Sequence, residues 1–462
     1  MEINRKIPLI KSQFIQVIKN NNKAIIWHSL FGNPKIVSRD TITLLDVFSN
    51  SRPISSVLGE YNIGENGREV IRDLIASHYL ISENFDERKF LAKCMQWRRE
   101  SITSGSLIDY LELIISEACN FRCTYCIHFN NLKTSDRIKN PKKFMTFKIA
   151  KDAVDQYLKI LRRHGKNIAS VNFGGGEPLL AWPVIVQVIE YCQLKYSEKF
   201  KFKLSINTNA SLITADIARK LKKYHVKIAS SLDGLRDGND QVRLTKSGGG
   251  TFKAIMRGFD NLVEQGYPLK GIAVTVNEKN FPFLDEKIIN WASGRHMKEI
   301  RIDIDIVGMV RISIKDIVAK LMRIRQYAKS REIEIAGFWS RPAENLNDST
   351  LNAHIAFCGA VRGNSICVNP SGDIYGCGYS TKRLGALHQI ESFYDYGSRY
   401  HLFVRDHLTG AIEMCRGCII EGQCGGGCNI TQEFARTAKT TKIKRMCAFY
   451  RKMTRELLLE QL

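Results

Sequence analysis

From Leu111 onward, short runs of aliphatic and β-branched residues recur at regular intervals along the chain. They are LELIIS from Leu111, IASVNF from Ile168, FKLSIN from Phe202, VKIASSLD from Val226, GIAVTV from Gly271 and IRIDIDIV from Ile300. Residues 147–163, 182–196, 214–224, 252–265 and 315–330 carry apolar positions three and four apart, which predicts amphipathic helices between the strands. The interval after Val276 has a less clear pattern. Six strands alternating with helices predict right-handed βαβ units around a parallel sheet, an α/β partial (β/α)6 barrel over residues 101–340. Such a sheet carries its chemistry at the C-terminal ends of its strands.

The first hundred residues follow a different pattern. Lys23 to Leu30 and Pro34 to Ser38 read as strands joined through Phe31-Gly32-Asn33. Three short helices follow: one capped by Asp40 with apolar Ile42, Leu44, Leu45 and Phe48, one from Ile54, and one carrying Val70, Ile71, Leu74 and Ile75. Hairpin strands followed by three helices outline a winged helix-turn-helix at residues 1–100. Beyond Arg341 periodicity fades, and GQCGGGC at Gly422 to Cys428 reads as irregular. Residues 341–462 are expected to fold around metal, having too little apolar surface of their own.

Length and composition sharpen this outline. The 462 residues are too many for one ordinary domain, and 44% hydrophobic with 25% charged residues describes a globular chain. The first residues contain no uninterrupted apolar signal region, and no stretch approaches the roughly 18 apolar residues of a membrane span, so a cytoplasmic protein without a membrane partner is expected. A formal charge of +23 would attract an acidic partner of any class. The basic run Arg436 to Arg445 reads as a solvated face.

Thirteen cysteines without a secretory signal point to metal ligation or thiol chemistry. Cys94 and Cys192 stand apart and read as small buried hydrophobes. The others fall into two groups, Cys119, Cys123 and Cys126 just past the first barrel strand, and a second group from Cys358 to Cys447. A 4Fe–4S cluster wants four thiolates, so three leave one iron open to a small molecule. The alternative is zinc with a fourth side chain such as His128.

CNFRCTYC resembles the motif of the radical S-adenosylmethionine (SAM) superfamily, C-x3-C-x2-C with an aromatic residue, Tyr125, before the last cysteine. The resemblance extends to GGGEP, Gly174, Gly175, Gly176, Glu177 and Pro178, which in that family receives the amino group of SAM. Glycines let the backbone approach a ligand closely, and Glu177 can hold the distorted loop. SINTN, with Ser205 and Asn207, and SSLDG, with Ser231, resemble family sites for the SAM ribose and carboxylate, and Arg243 matches a recurrent arginine downstream. The resemblance implies that SAM chelates the open iron and is cleaved to a 5′-deoxyadenosyl radical.

Cys358, Cys377, Cys415, Cys418, Cys424, Cys428 and Cys447 resemble the seven-cysteine SPASM pattern of peptide and protein maturases, named for subtilosin, pyrroloquinoline quinone, anaerobic sulfatase and mycofactocin. That resemblance implies one auxiliary 4Fe–4S cluster on Cys415, Cys418, Cys424 and Cys447, and another on Cys358, Cys377 and Cys428. The second cluster's fourth ligand stays open, since LNAHIAF upstream of Cys358 offers no extra cysteine. Cys367 could serve, the iron could stay open to substrate, or Cys367 could simply pack in the strand ICV.

The combined pattern implies a maturase that abstracts hydrogen from a ribosomal precursor peptide to form a crosslink, a thioether or an epimer. Its partners would be a precursor whose leader adds a strand to the N-terminal unit, and an electron donor such as flavodoxin or ferredoxin. A sulfatase-type maturase is a rival, although Gly378 stands where that subfamily has a catalytic aspartate. Nucleic-acid binding through the winged helix is another, although Arg68 and Arg72 are the main charges on its third helix. A zinc scaffold without catalysis is the third. No general base is assigned; Asp303 and Asp305 would point into the barrel only in one strand register.

Overall fold

The computed structural model describes residues 7–20, 22–61, 63–127, 144–306, 308–347, 357–437 and 441–462, with the side chains at 434–437 and 441–442 outside that description. The N-terminal unit holds two three-stranded sheets. β1 (Pro8–Lys11) lies between β5 (Arg52–Pro53) and β6 (Leu80–Ser82), and β2 (Ile15–Asn20), β3 (Lys23–His28) and β4 (Gly32–Ser38) form an antiparallel meander. Helices Arg39–Val47, Ile54–Glu60 and Glu65–Ala76 follow as expected. The cap of the first is corrected: Ser38, not Asp40, accepts the Thr41 N–H at 3.2 Å, and Asp40 sits in the first turn, where its charge favours the helix dipole.

β3 explains why the AIIW stretch of KAIIWH is apolar throughout instead of alternating. Ala24 and Ile26 enter a core shared with Leu45, Phe48, Leu74 and Tyr79. Ile25 and Trp27 point the other way, against Leu346 and Leu458 near the far end of the chain. Both faces of the strand are buried, so no polar face is possible.

The central array is longer than six strands. β7 (Tyr110–Ser116), β8 (Ile168–Gly175), β9 (Lys201–Thr208) and β10 (Lys227–Ser230) pair in parallel. A parallel bridge from Ser231 to Ala273 carries the curve on to β11 (Gly271–Val276), β12 (Glu299–Ile304) and β13 (Glu334–Ala336). Helices Phe147–Arg163, Trp182–Tyr196, Ala215–Lys223, Phe252–Glu264 and Ile314–Lys329 cover the outer face, and Glu286–Gly294 fills the unclear interval. Each of these strands sends alternate residues outward, as Leu111, Leu113 and Ile115 of β7 do, into one continuous core.

The C-terminal segment joins this array. β14 (Ser365–Val368) pairs in parallel with β7, and β15 (Asp373–Tyr375) and β16 (Gly385–Ala386) extend the sheet antiparallel. Its side chains share the barrel's core rather than forming a separate one. Two expectations for this segment are revised. Glu421–Cys424 makes a helical turn, after which Gly425, Gly426 and Gly427 all take positive φ, a run that only glycine adopts without strain. Arg445, at the end of the basic run, is not solvated: its guanidinium bonds the carbonyls of Ile306 (2.9 Å), Met309 and Ile312. Helix Thr441–Leu459 packs on Ile314–Lys329, and Glu460 pairs with Arg325 and Lys329 at 3.1 and 2.9 Å. Among the described residues, no helix is long and apolar enough to cross a membrane.

Candidate iron–sulfur and SAM site

β7 ends at Ser116, and the cysteine loop begins three residues later. Two segments hold that loop. Arg122 N–H and Thr124 N–H donate to the carbonyls of Leu244 and Val242 at 2.7 and 2.9 Å. On the other side, Gly176 N–H donates to Ser116 at 2.7 Å and Glu177 N–H to Ala118 at 2.9 Å. Gly175 takes φ +120°, and a Cβ at Gly176 would overlap the Ala118 carbonyl and stand 3.2 Å from Cys119 Cβ. The GGGEP glycines therefore let two loops run in contact while leaving a backbone surface beside the cysteines.

Glu177 has 0% exposure. Its carboxylate accepts the Leu179 N–H (3.0 Å), the Thr208 hydroxyl (2.8 Å) and the Asn209 N–H (2.8 Å). Burial pushes its pKa up to about 7 against those bonds. It is a latch between the ends of β8 and β9. Asn209, which the sequence reading passed over, extends the latch: its amide reaches Asn120 Oδ1 at 2.8 Å and lies 3.9 Å from Cys119 Sγ. A signal was available, because Asn209 closes the SINTN run at a strand end.

On the far side, Tyr125 donates its hydroxyl to Asp233, which is 2% exposed. Asp233 also accepts Arg243 Nε and Thr275 N–H, each at 2.8 Å. Burial raises the Cys123 thiol to about 11, and the Arg243 cation pulls it back down. Ser205 and Asn207 lie on the inner face of β9, with Ser205 Oγ donating to Asn172 at 2.9 Å. Ser231, half-buried, makes the bridge to β11.

The thiols stand in three sets. Cys119, Cys123 and Cys126 act on one another electrostatically. Cys415, Cys418, Cys424 and Cys447 form a second such set, and Cys358, Cys377 and Cys428 a third. Burial raises every one of these thiols for which a shift is resolved, and the neighbouring thiols add to it; Cys415 reaches about 12. Such sites hold thiolates only if cationic metal compensates the charge. Yet among the described residues no three His, Cys, Asp or Glu side chains converge tightly enough to grip one ion. His128 and residues 351–356 of LNAHIAF lie outside the described residues.

Cys367 is buried on β14, packed with Ile114 and Tyr375 and hydrogen bonded to Glu112. Cys192 is fully buried in its helix, and Cys94 packs beside Leu91 and Met95. Asp303 faces inward, pairing with Arg301 at 2.7 Å and accepting the Phe338 N–H at 2.9 Å. Asp305 accepts the Gly308 N–H at 3.0 Å and closes a turn.

The N-terminal unit grips the turn that carries Cys418 and Cys424. Trp27 Nε1 donates to Ile419 O and Gly422 N to Ser29 O, both at 2.8 Å, and Arg88 forks onto Glu421 at 2.9 and 3.1 Å. A Cβ at Gly422 would overlap the Leu30 carbonyl, so the two backbones touch.

A family model described as the radical SAM superfamily matches residues 113–282. Radical SAM cyclopropyl synthase TigE of Paramaledivibacter caminithermalis is 24% identical, over 91% of this chain and 89% of its own length. An uncharacterized protein of Methanocaldococcus jannaschii is 30% identical over 58% of this chain and 85% of its own. Mycofactocin maturase MftC of Mycobacterium tuberculosis is 23% identical over 69% and 78%. The solved structure of anSMEcpe with bound AdoMet superposes with a TM-score of 0.60 at 19% identity, over 77% of this chain and 97% of that one, and so shares the fold.

Proposed function

Because this chain belongs to the radical SAM superfamily, whose members use a 4Fe–4S cluster and SAM, we propose that it modifies a ribosomal precursor peptide, held by its leader at the N-terminal winged-helix unit. The observation that carries the reading is the gathering of ten cysteines into sets of three, four and three. Cys119, Cys123 and Cys126 would hold the SAM-binding cluster at the mouth of the barrel. Cys415, Cys418, Cys424 and Cys447 would hold one auxiliary cluster, and Cys358, Cys377 and Cys428 the other, in a SPASM domain. When bound, the first cluster and SAM supply a 5′-deoxyadenosyl radical able to remove hydrogen from an unactivated carbon.

This chain's own residues do the rest. The backbone of Gly174, Gly175 and Gly176 offers polar groups at close approach, Glu177 and Asn209 keep that loop in register with Cys119, and Arg243 places a buried positive charge beside the thiols. The barrel and the segment closing its edge keep water from the reacting carbon. A leader strand would extend the β2–β3–β4 sheet, and the +23 charge suits an acidic leader. Electrons would come from a flavodoxin or ferredoxin, in the cytoplasm, whose reducing conditions suit thirteen cysteines without a disulfide.

The peptide reading is supported by the resemblance to maturases over most of the chain. A sulfatase-type reaction is weaker, since Gly378 supplies no carboxylate. Nucleic-acid binding is weaker too, since Arg68 and Arg72 are both drawn to Glu65, at 3.7 and 3.2 Å. The test is anaerobic incubation of reconstituted protein with SAM, dithionite and the synthetic precursor peptide encoded beside the gene. Peptide-dependent 5′-deoxyadenosine and a changed peptide mass are expected; an unmodified peptide under active SAM cleavage would overturn the reading.

A further inference from the structure

The inner face of the barrel carries a row of six side chains in which Glu112 and Asn172 belong to no cysteine motif and to no position resembling a SAM site. Strand pairing sets Tyr375, Cys367, Glu112, Asn172, Ser205 and Lys227 side by side across β15, β14, β7, β8, β9 and β10. Because side chains alternate along a strand, all six share one face, opposite the outward Leu111 and Leu113. A barrel filled only for stability uses branched apolar residues there. Here the Gly378 N–H, Cys367 and Asn172 all bond the Glu112 carboxylate, which holds an acceptor in one orientation on that inner face.

Glu112 is the centre of the row. Its Oε2 accepts the Gly378 N–H at 3.2 Å, and its Oε1 would stand 2.8 Å from a Cβ at Gly174. The carboxylate thus lies directly beneath the glycine loop and against the loop that follows Cys377. One residue further, Tyr379 is 45% exposed although charged and polar groups surround it: Glu112, Cys377, Cys126 and Arg301 all act on its phenol. Tyr379 therefore stands, partly exposed, where the cysteine loop, β7 and β12 come together. A substrate residue lying between the Cys119–Cys126 loop and the Cys377 loop would pass beside it.

We propose that Glu112 and Tyr379 are substrate-positioning residues that receive a hydrogen-bond donor of the entering peptide, a backbone N–H or a hydroxyl or ammonium group beside the C–H bond to be broken. The inference rests on the peptide-maturase reading and names the residues that make it regiospecific. Hydrogen abstraction needs the target carbon at contact distance, and a misplacement of about 1 Å costs on the order of a hundredfold in rate. Apolar walls leave a side chain free to turn, whereas polar anchors fix its orientation. Glu112 suits this role because it stands on a central strand, flanked by Asn172 and tied to the Gly378 backbone.

The test uses the reconstituted full-length protein, SAM, dithionite and the synthetic precursor peptide, with Glu112→Gln and Tyr379→Phe as separate variants. Iron per chain, peptide-independent SAM cleavage, peptide KM, and 5′-deoxyadenosine formed per modified peptide are measured. Both variants should keep wild-type iron and basal cleavage while the ratio of 5′-deoxyadenosine to product rises roughly tenfold, as expected when a radical forms beside a misplaced target. A wild-type ratio in both variants would overturn the proposal. Iron loss in Glu112→Gln with a normal ratio in Tyr379→Phe would also overturn it, making Glu112 a prop for the Cys377 loop. Wild-type protein that cleaves SAM but leaves the peptide unchanged would overturn the maturase reading, and this proposal with it.

Discussion

Replacing Arg88 by Met should loosen the auxiliary cluster nearest the N-terminal unit. Arg88 forks onto Glu421, whose side chain is only 1% exposed, in the turn between Cys418 and Cys424. Removing one member of a fully buried pair costs about 3–5 kcal/mol. Here Arg88 is itself 38% exposed, and Glu421 keeps the Gly417 N–H at 2.9 Å. Solvent screening and that remaining bond bring the expected loss to about 2 kcal/mol, or about a thirtyfold rise in local opening.

The assay is iron release to a chelator in a Cys119→Ala, Cys123→Ala, Cys126→Ala background, where about eight irons should remain on the auxiliary sets. Arg88→Met should release about half of them faster, and adding Glu421→Gln should restore most of the retention by removing the stranded charge. Equal release from Arg88→Met and its parent would refute the coupling. So would loss that the second substitution fails to correct.

Other outcomes follow from the same geometry. Gly176→Ala places a methyl against the Ala118 carbonyl, and should cost about 1–3 kcal/mol by thermal unfolding while weakening SAM binding. Asp233→Asn strands the buried Arg243 and removes the acceptor of Tyr125; a drop of about 3–5 kcal/mol is expected, and a melting temperature within one degree of wild type would contradict it. His28 is buried, with Nδ1 accepting the N–H groups of Leu30 and Phe31 and Nε2 facing Glu87. Burial lowers its pKa below 6.5 despite Glu87. The unfolded chain then binds the extra proton first, so stability is full above about pH 6.5 and falls as pH drops below it. His28→Gln should flatten that slope in melting curves recorded from pH 7.5 to 5.5.

Much of this organisation is legible in the sequence because its signals are local. The six strand runs and the helices 147–163 and 182–196 stand where apolar spacing puts them, and cysteine spacing separates Cys119, Cys123 and Cys126 from the later group, which only the family resemblance divides further. What escapes is non-local. Nothing in SICV announces that it pairs with β7, some 250 residues earlier, or that AIIW is apolar on both faces because Leu346 and Leu458 cover one of them. Glu112 hides in LELIIS as an ordinary polar position of an alternating strand. Only the closed curve of the sheet turns that face inward. The helical turn at Glu421–Cys424 escapes because its glycine reflects contact with Leu30, a tertiary cause that local propensity cannot register.

The most direct test of the central claim is isotopic. With precursor peptide deuterated at the residue that changes mass, the reconstituted protein should yield 5′-deoxyadenosine carrying deuterium, and the Cys119→Ala, Cys123→Ala, Cys126→Ala protein should yield none. Unlabelled 5′-deoxyadenosine from the wild-type protein, with the peptide recovered unmodified, would contradict the account.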